Sequence, residues 1–325
     1  MRESELLRRI IARSAGLAGA FPHVHVGPGD DCAVVTVPGG GKQRLLLKVD
    51  QLVEGRHFTT RTPLDLIARK AIARAISDIA AMAGTPVCAL AGASLPPNYP
   101  QAHADALYES LLGRSIEFAC PLVGGDTATL ASAGPLSLSI TVLGTPHPQR
   151  GPVLRSGALP GDIVYVTGTI GGSFRAQPGP GFDFAGGGKH LTFQPRVREA
   201  AWLADTLGAN LHAMMDISDG LGIDASRMAE RSGVVIEIDS ASVPLSEGER
   251  DVMKAASQGE DYELLFVAPA DAIVPAAMPA IGTRVRAIGR VVAAPTSADE
   301  SGFARCVILH NGERIGADSM GWEHR

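Results

Sequence analysis

Cysteine is scarce in this sequence, and its few cysteines stand far apart. The chain has four, Cys32, Cys88, Cys120 and Cys306, with apolar neighbours and no C-x-x-C pair. Disulfide frameworks and structural zinc sites need closely patterned cysteines, so this spacing favours packed, reduced thiols. We therefore expect a cytoplasmic protein.

Basic runs and long apolar stretches are also missing. The 325 residues carry 29 Lys plus Arg against 34 Asp plus Glu, a formal net charge of −5, with no basic run that could follow a phosphate backbone. Apolar stretches stay well short of the ~20 residues that span a bilayer, and charges at residues 2–5 stand where a secretory signal has its apolar core. We expect no nucleic-acid partner and no membrane span. Any phosphorylated ligand must then be held by metal ions, backbone N–H groups and a few specific cations.

The length and the 45% hydrophobic content favour two domains with sizeable cores. A strand predicted at 136–143 alternates cleanly between apolar and polar residues, and the stretch 144–148, Gly-Thr-Pro-His-Pro, interrupts it. We place the boundary near residue 150, which gives domains at 1–150 and 151–325.

Hydrophobic periodicity predicts mixed helices and strands in both halves. The segment 38–42 is rich in glycine, but Lys42 is followed by Gln43 and then by a strand, so it fits a hairpin turn better than a phosphate loop. The predicted elements of the first half are an opening helix, strands at 32–37 and 44–49, a long helix with Thr62 as N-cap and Pro63 as its first residue, a helix at 100–118 and the strand at 136–143. Those of the second half are a strand at 163–166, a Gly/Pro-rich loop at 176–190, helices at 195–207 and 221–232 with Gly233 as C-cap, strands at 234–238 and 262–267, and one or two strands between 284 and 310.

Aspartates beside small residues are the most informative feature of the chain. In GPGDDCAV, residues 27–34, glycines allow close backbone approach to a ligand and two carboxylates follow. Two like charges 4 Å apart repel by about 4 kcal/mol at an effective dielectric near 20, so convergence of many carboxylates requires divalent cations between them. Further aspartates in this setting are Asp50, Asp78, Asp126, Asp216 and Asp219.

Local readings of these aspartates leave alternatives open. Asp78 falls on the apolar side of the long helix, where it either meets an ion or ligand or is satisfied by a neighbouring segment. The string Gly124-Gly125-Asp126-Thr127 fits a ligand-binding strand end and an ordinary turn equally well. Asp216 and Asp219 lie between the predicted apolar turn 214–215 and a helix start, where carboxylates hold Mg²⁺ and free N–H groups face a phosphate.

Seven ordered strings carry a resemblance to a known family: GPGDDCAV, VDQLVEGRHF, ARKAIARAISDIAAMAG, VGGDT, RSGALPGDIVYVTG, DISDGL and GEDYELLF. Together they closely resemble thiamine-monophosphate kinases, from about residue 4 to residue 323. That family belongs to an ATP-binding group that includes aminoimidazole ribonucleotide synthetase, selenophosphate synthetase and a hydrogenase-maturation factor.

The resemblance implies transfer of the γ-phosphoryl group of ATP onto thiamine monophosphate, giving thiamine diphosphate and ADP. It implies an α/β N-terminal domain whose sheet pairs across a homodimer and an α+β C-terminal domain that closes over the nucleotide. It also implies several Mg²⁺ ions. Phosphoryl transfer asks mainly for alignment and charge neutralisation, which agrees with an aspartate-rich site that has no dedicated nucleophile.

Site residues follow from the resemblance position by position. The implied Mg²⁺ ligands are Asp31, Asp50, Asp78, Asp126, Asp216 and Asp219, of which Asp50, Asp126 and Asp219 are assigned to catalysis. The implied ATP contacts are Gly125, Asp126, Arg155 and Ser218, and the implied substrate contacts are His57, Glu260 and Trp322. For His57 and Trp322 the alternatives are a surface histidine and an ordinary packed tryptophan.

Three departures from the family pattern concern metal binding and loop structure. Lys48 and Val49 stand where relatives usually carry Ser or Thr, Ala75 replaces a common Asn, and the segment 176–190 replaces a helix. Lys48 can itself supply the charge of one ion. Alternative functions are another ATP-dependent enzyme of the group and a catalytically silent nucleotide-binding regulator; retention of Asp126 and Asp219 weighs against the latter.

Overall fold

The computed structural model of the chain describes residues 3–39, 41, 43–173, 188–295 and 303–322. Two mixed sheets organise it, one in each half. The first has the order β1-β2-β3-β6-β4-β5, in which only β4 and β5 pair in parallel. Its strands are β1 (Val24–Val26), β2 (Ala33–Thr36), β3 (Arg44–Val53), β4 (Gly84–Leu95), β5 (Leu122–Thr129) and β6 (Ser137–Pro146).

The second sheet has the order β13-β12-β9-β11-β7-β10-β8, in which only β9 and β12 pair in parallel. Its strands are β7 (Ile163–Thr167), β8 (Ala213–Asp216), β9 (Val234–Asp239), β10 (Leu264–Ala268), β11 (Val285–Ala293), β12 (Cys306–His310) and β13 (Glu313–Gly316). The helices of the chain are α1 (Glu3–Ser14), α2 (Leu17–Ala20), α3 (Leu64–Ala81), α4 (Gln101–Glu117), α5 (Lys189–Thr192), α6 (Val197–Leu207), α7 (Leu221–Ser232) and α8 (Val252–Ser257).

Helix α3 connects the two halves. Its apolar residues occur on nearly all sides, and a helix with that pattern is buried. Ile72 and Ile76 pack into the core of the first sheet. Ala80, near its end, packs into a separate core that includes α6 and Phe266 of β10. The helix therefore fixes the position of the second sheet relative to the first.

Helices α3 and α4 cover only one face of the first sheet. In β3, Leu46 and Leu52 point toward the core, so the alternation turns Leu47 and Val49 to the opposite side. Val49 is aligned through β6 with Leu90 of β4, and both are exposed, by 60% and 47%. We call this side of the first sheet the open face.

Several predicted elements are confirmed within a few residues. The predicted strand at 136–143 is β6, and its buried residues alternate as expected. The helix predicted at 100–118 is α4, and Gly233 ends α7 in the left-handed conformation, with φ of 70°. Two strands, β11 and β12, occupy the region between 284 and 310.

Two other predictions were wrong, and a third concerns residues that are largely outside the described part of the chain. Thr62 does not cap α3: Pro63 precedes the helix, and the Thr62 hydroxyl accepts the backbone N–H of Thr59. The apolar stretch 214–215 is not a turn but the middle of β8, which is buried throughout. The predicted loop at 176–190 lies outside the described residues up to 187, and its last residues enter α5.

Among the described residues, no helix combines the length and apolar character needed to cross a membrane.

Candidate active site

One face of α3 presents polar side chains to the space between the two sheets. Lys70, Arg74, Ser77 and Asp78 follow each other at helical spacing, so their side chains lie on one side of the helix. Eight residues of α-helix separate the first from the last, about 12 Å along the axis. Lys70, Arg74 and Ser77 each contact a different residue that the sequence assigned to the site, and Asp78 is itself such a residue.

Asp78 contributes to a cluster of three buried carboxylates. Asp31 reaches it from the loop before β2 and Asp216 from the end of β8, and one oxygen from each lies within 4.8 Å of the others. Asp216 Oδ2 accepts a hydrogen bond of 2.6 Å from the Ser77 hydroxyl. Asp216 Oδ1 is buried and has no hydrogen-bond partner among the described residues.

The electrostatics of this cluster favour a bound cation. Burial, with Asp50 and Asp31 nearby, raises the pKa of Asp78 to about 7 even though Lys48 opposes the rise. Burial, together with the charges of Asp78 and Asp31, also raises the pKa of Asp216 well above its ordinary value. Carboxylate oxygens are the ligands that Mg²⁺ prefers, and an ion would offset both the burial and the repulsion. The residues present therefore fit a divalent metal.

Basic side chains pair with two carboxylates of the cluster and with two more near it. Arg155 donates from Nε and Nη2 to Asp31, at 3.1 and 2.5 Å, so its planar group holds that carboxylate at two points. Burial alone would lower the pKa of Lys48, but Asp78 and Asp50 outweigh it and raise that pKa. The remaining pairs are Lys48 with Asp78 at 2.7 Å, Arg74 with Asp50 at 3.2 Å and Arg227 with Asp219 at 2.5 Å.

The loop between β8 and α7 folds around Asp224. One oxygen of this buried carboxylate accepts the backbone N–H groups of Ser218, Asp219 and Gly220, at 3.0, 2.9 and 3.1 Å. The expectation for this junction concerned the free N–H groups of the helix itself, whereas these three donors lie in the loop before α7 and meet Asp224. Sequence reasoning missed this residue, although an acidic residue in the first turn of a helix is a known signal.

Three residues assigned to ATP or substrate lie on segments joined to that loop. The backbone N–H of Glu260 donates to Ser218 O at 2.7 Å, and that of Trp322 donates to Asp219 O at 2.7 Å. The guanidinium of Arg56, from the loop after β3, lies over the Trp322 ring at 5.7 Å from its centroid. The structure therefore brings Ser218, Glu260 and Trp322 into one region and adds Arg56, which the sequence analysis did not single out.

A buried lysine links this region to His57. Lys70 Nζ donates to His57 O at 2.8 Å and to Glu260 Oε2 at 2.5 Å, and it lies 3.0 Å from His190 Nδ1. His57 itself is buried, and its Nδ1 accepts the backbone N–H of Val53 at 2.9 Å. The alternative of a surface histidine is therefore wrong.

Asp126 and Gly125 lie apart from these groups. Both are on β5, an exposed edge strand, so the string Gly124-Gly125-Asp126-Thr127 is not a turn. The register aligns Asp126 with Gly92, Ser139 and Gln51, on the open face and three strands away from β3. Three strand spacings amount to about 14 Å. Within one chain, Asp126 does not reach the buried carboxylate cluster.

Gly125 is required for the pairing of β5 with β4. A Cβ atom at this position would lie 2.0 Å from the carbonyl oxygen of Ala91, its partner in the parallel register. The sequence predicted that a glycine here lets the backbone approach a ligand closely. In the described structure, the backbone at Gly125 closely approaches the neighbouring strand β4.

Comparison with known families agrees with this architecture. The profile of the AIR synthase related protein N-terminal domain matches residues 29–145, and that of the C-terminal domain matches residues 160–299. A thiamine-monophosphate kinase from Rhodopirellula baltica is 37% identical over 280 residues, covering 81% of this chain and 83% of the relative. One from Escherichia coli K12 is 33% identical over 321 residues, covering 93% and 92%.

A solved structure matches the fold as a whole. The protein described as AaThiL complexed with AMPPCP and TMP superposes with a TM-score of 0.75 at 28% identity, covering 100% of this chain and 99% of the other. With two family profiles and relatives above 30% identity along most of its length, this chain belongs to the thiamine-monophosphate kinase family, within the AIR-synthase-related superfamily.

Proposed function

We propose that the chain transfers the γ-phosphoryl group of ATP directly to the phosphate of thiamine monophosphate, giving thiamine diphosphate and ADP. The observation that carries the proposal is the buried cluster of Asp31, Asp78 and Asp216, placed between the two sheets in a chain of this family. A cation-binding centre there suits a reaction in which alignment and charge neutralisation do most of the catalysis.

Mg²⁺ is the metal we assign to this centre. Asp31, Asp78 and Asp216 would hold it, and Asp50 and Asp219 supply carboxylates on either side. When bound, Mg²⁺ neutralises charge on the transferred group and on the ADP product. The chain contributes fixed oxygen ligands that already face each other, since α3, β8 and the loop before β2 hold them in place.

ATP contacts are proposed for Arg155, which is paired with the cluster residue Asp31, and for Ser218, in the loop after β8. Arg155 presents a planar cation held against Asp31, and guanidinium groups bind phosphate oxygens in the same two-point manner. Ser218 lies two residues beyond Asp216, so it can contact a part of the nucleotide that lies farther from the metal.

Thiamine monophosphate is proposed to bind at the opposite end, near Lys70. Glu260, His57 and Trp322 are the contacts we assign, with Trp322 stacking on the pyrimidine or the cationic thiazolium ring. The Arg56 guanidinium lies over the same ring, 5.7 Å from its centroid, which shows that the ring accepts a cation on its face.

No general base is required at this end. The acceptor is a phosphate monoester whose second pKa is about 6, so it is already a dianion near neutral pH. The chain has to orient its oxygen toward the γ-phosphorus and exclude water. Lys48, Arg74 and Arg155 lower the negative charge that the acceptor meets on its approach.

A homodimer that covers the open face completes the proposal. Val49 and Leu90 are aligned across the sheet and exposed, and a soluble chain rarely leaves such a patch uncovered. In such a dimer Asp126, which faces outward on the same side, would serve the site of the second copy. We assign the enzyme to the cytoplasm because all four cysteines are unpaired thiols.

The experiment is a product assay on the purified chain. It is incubated with ATP, Mg²⁺ and either thiamine monophosphate or another candidate phosphate acceptor, and the products are separated by chromatography. We expect ADP and thiamine diphosphate in equal amounts, and no ADP without acceptor. An Asp126→Asn variant should lose turnover while it keeps the circular dichroism spectrum of the folded protein.

Two outcomes would overturn the proposal. ADP formation with a different acceptor and none with thiamine monophosphate would assign the chain to another reaction of the superfamily. Nucleotide binding without turnover on any acceptor tested would identify a silent regulator.

A further inference from the structure

Lys70 has an environment that is unusual for a lysine. Its side chain is fully buried, and its ammonium group donates to His57 O at 2.8 Å and to Glu260 Oε2 at 2.5 Å and lies 3.0 Å from His190 Nδ1. His190 Nδ1 also lies 3.3 Å from Glu260 Oε2, so the three side chains form one cluster. The partners of the ammonium group come from both halves of the chain, which makes Lys70 a fixed point between them.

The segment that carries Glu260 needs external support. Glu260 and Tyr262 both have positive φ values, 65° and 51°, which residues other than glycine rarely adopt. Such a backbone persists only where its surroundings hold it. Tyr262 is held by stacking on Phe193, with ring centroids 3.8 Å apart, and Glu260 is held by Lys70.

We propose that Lys70 is a positioning residue for thiamine monophosphate: its ammonium group holds the Glu260 carboxylate and the main chain of His57 at the spacing that the substrate requires. The proposal rests on the assignment of Glu260 and His57 to the substrate. Lys70 itself, enclosed by its three partners, does not contact the ligand.

The charges around Lys70 support this role. Its ammonium faces Glu260 and His190 from the second half of the chain, Asp50 from β3 and Arg74 from its own helix. Burial lowers the pKa of Lys70 to about 8, although Glu260 opposes that change. Burial alone would raise the pKa of Glu260, but Lys70 and then His190 outweigh it and lower that pKa. The charge of Lys70 therefore favours the carboxylate form of Glu260.

The neighbouring residue in α3 provides a matched control. Arg69 also reaches across to the second half, donating to Leu191 O and Gln194 Oε1 at 3.3 Å each, and neither of these hydrogen bonds involves Glu260 or His57. A role limited to holding the two halves together would be shared by Arg69 and Lys70. A role in substrate positioning belongs to Lys70 alone.

The test compares steady-state kinetics of Lys70→Met, Arg69→Met and Glu260→Gln. For Lys70→Met we expect the KM for thiamine monophosphate to rise about tenfold or more, with the KM for ATP within about twofold of wild type. Arg69→Met should leave both KM values within about twofold, at a similar loss of thermal stability. If Lys70→Met does not fold, the double variant Lys70→Met/Glu260→Gln, which removes both charges, is measured against Glu260→Gln.

The pH profile distinguishes a positioning role of Lys70 from a purely structural one. In the wild type, kcat/KM for thiamine monophosphate should fall as the pH rises through about 8, because Lys70 loses its proton there and releases Glu260. In Lys70→Arg this descending limb should move to higher pH, since a guanidinium keeps its charge. An unchanged limb in Lys70→Arg overturns the proposal.

The variants also separate this inference from the proposed function. If Glu260→Gln leaves the KM for thiamine monophosphate unchanged, the placement of the substrate is wrong. If Glu260→Gln raises that KM and Lys70→Met does not, the substrate is placed correctly and the role of Lys70 is wrong. Equal effects of Lys70→Met and Arg69→Met on both KM values would reduce Lys70 to a structural contact.

Discussion

Asp216 is the residue whose surroundings point most directly to a bound ion. One of its carboxylate oxygens accepts from Ser77, while the other is buried without a partner in the part of the chain that the structure describes. A buried polar atom left unpaired costs about 1–3 kcal/mol, and more when it is charged. Such an atom, next to two further carboxylates, is stabilised by a cation.

We expect Asp216→Asn to abolish stabilisation by Mg²⁺. In the wild type, Mg²⁺ at about 100 times its Kd should stabilise the folded state by about 2.7 kcal/mol, seen as a rise in Tm. The variant should show no such rise, and its metal-free Tm should be at least that of the wild type because one of three repelling charges is gone.

The control is Asp205→Asn, which removes an exposed carboxylate paired with His147. A Mg²⁺-dependent rise in Asp216→Asn equal to that of the control would contradict the site.

Lys48 leads to a prediction about the number of bound ions. Its ammonium lies 2.7 Å from Asp78 Oδ1, where it places a positive charge beside the carboxylate cluster. Lys48→Thr removes this charge and offers a hydroxyl, so the variant should bind more Mg²⁺ per chain than the wild type. Equilibrium dialysis with metal analysis measures the ratio. Lys254→Thr, which removes a lysine paired with Glu249, is the control, and an equal ratio in all three proteins would refute the idea.

The sequence pointed to the carboxylates of the site but not to their partners. Asp31, Asp78 and Asp216 stand in recognisable strings, and a carboxylate on an apolar helix side is conspicuous by itself. Lys70 is 190 residues from Glu260, and neither the helix pattern nor composition indicates which distant group a buried lysine meets. Asp126 was grouped with the other aspartates because residue type does not reveal which face of a sheet a side chain occupies.

At the scale of elements, β5 depends on one glycine. In Gly125→Ala the added methyl group would collide with the Ala91 carbonyl, and backbone atoms of both strands would have to move. We expect the free energy of unfolding to fall by about 1–3 kcal/mol, measured by urea denaturation.

Gly113 provides the control for this change. It lies on the exposed side of α4, and a Cβ atom there would have no neighbour within 4 Å. Gly113→Ala should therefore raise the stability by about 0.5–1 kcal/mol, as expected for alanine in a helix. If both substitutions change the free energy of unfolding equally, a collision with the Ala91 carbonyl does not determine which residue β5 accepts at position 125.

The elements that the sequence predicted well have strong periodicity. Helices α3 and α4 and strand β6 show regular apolar spacing over many residues. Strand β4 was missed because it contains Gly and Pro and its pairing shifts between Pro86 and Cys88, which breaks the alternation. Strand β8 is buried on both sides, so its short apolar run has no alternation to detect.

At the scale of the whole molecule, Asp126 and the carboxylate cluster lie on opposite sides of the first sheet. If the second copy in a dimer supplies Asp126, an Asp126→Asn chain and an Asp78→Asn chain can complement each other. Random pairing makes half of the dimers mixed, and each mixed dimer has one intact site of two, so activity should recover to about a quarter of the wild type.

Measurement of this recovery requires coexpression of the two inactive chains with different affinity tags. Mixed dimers purified on both tags should show about half of the wild-type activity per dimer, while each variant alone stays inactive. Mixed dimers without activity would mean that Asp126 acts within its own chain, and an Asp126→Asn chain that is active alone would mean that Asp126 is not needed for turnover.

The open face has a consequence for cells that carry two versions of the gene. If the proposed homodimer forms through this face, a chain with a disabled site but an intact Val49 and Leu90 surface would still assemble with normal chains. Each such assembly would place a defective subunit beside a working one, and an Asp126 substitution would silence its neighbour's site rather than its own. A heterozygous Asp126 substitution would then also lower the activity of the normal chains. Substitutions that prevent assembly would leave the activity of the normal chains unchanged.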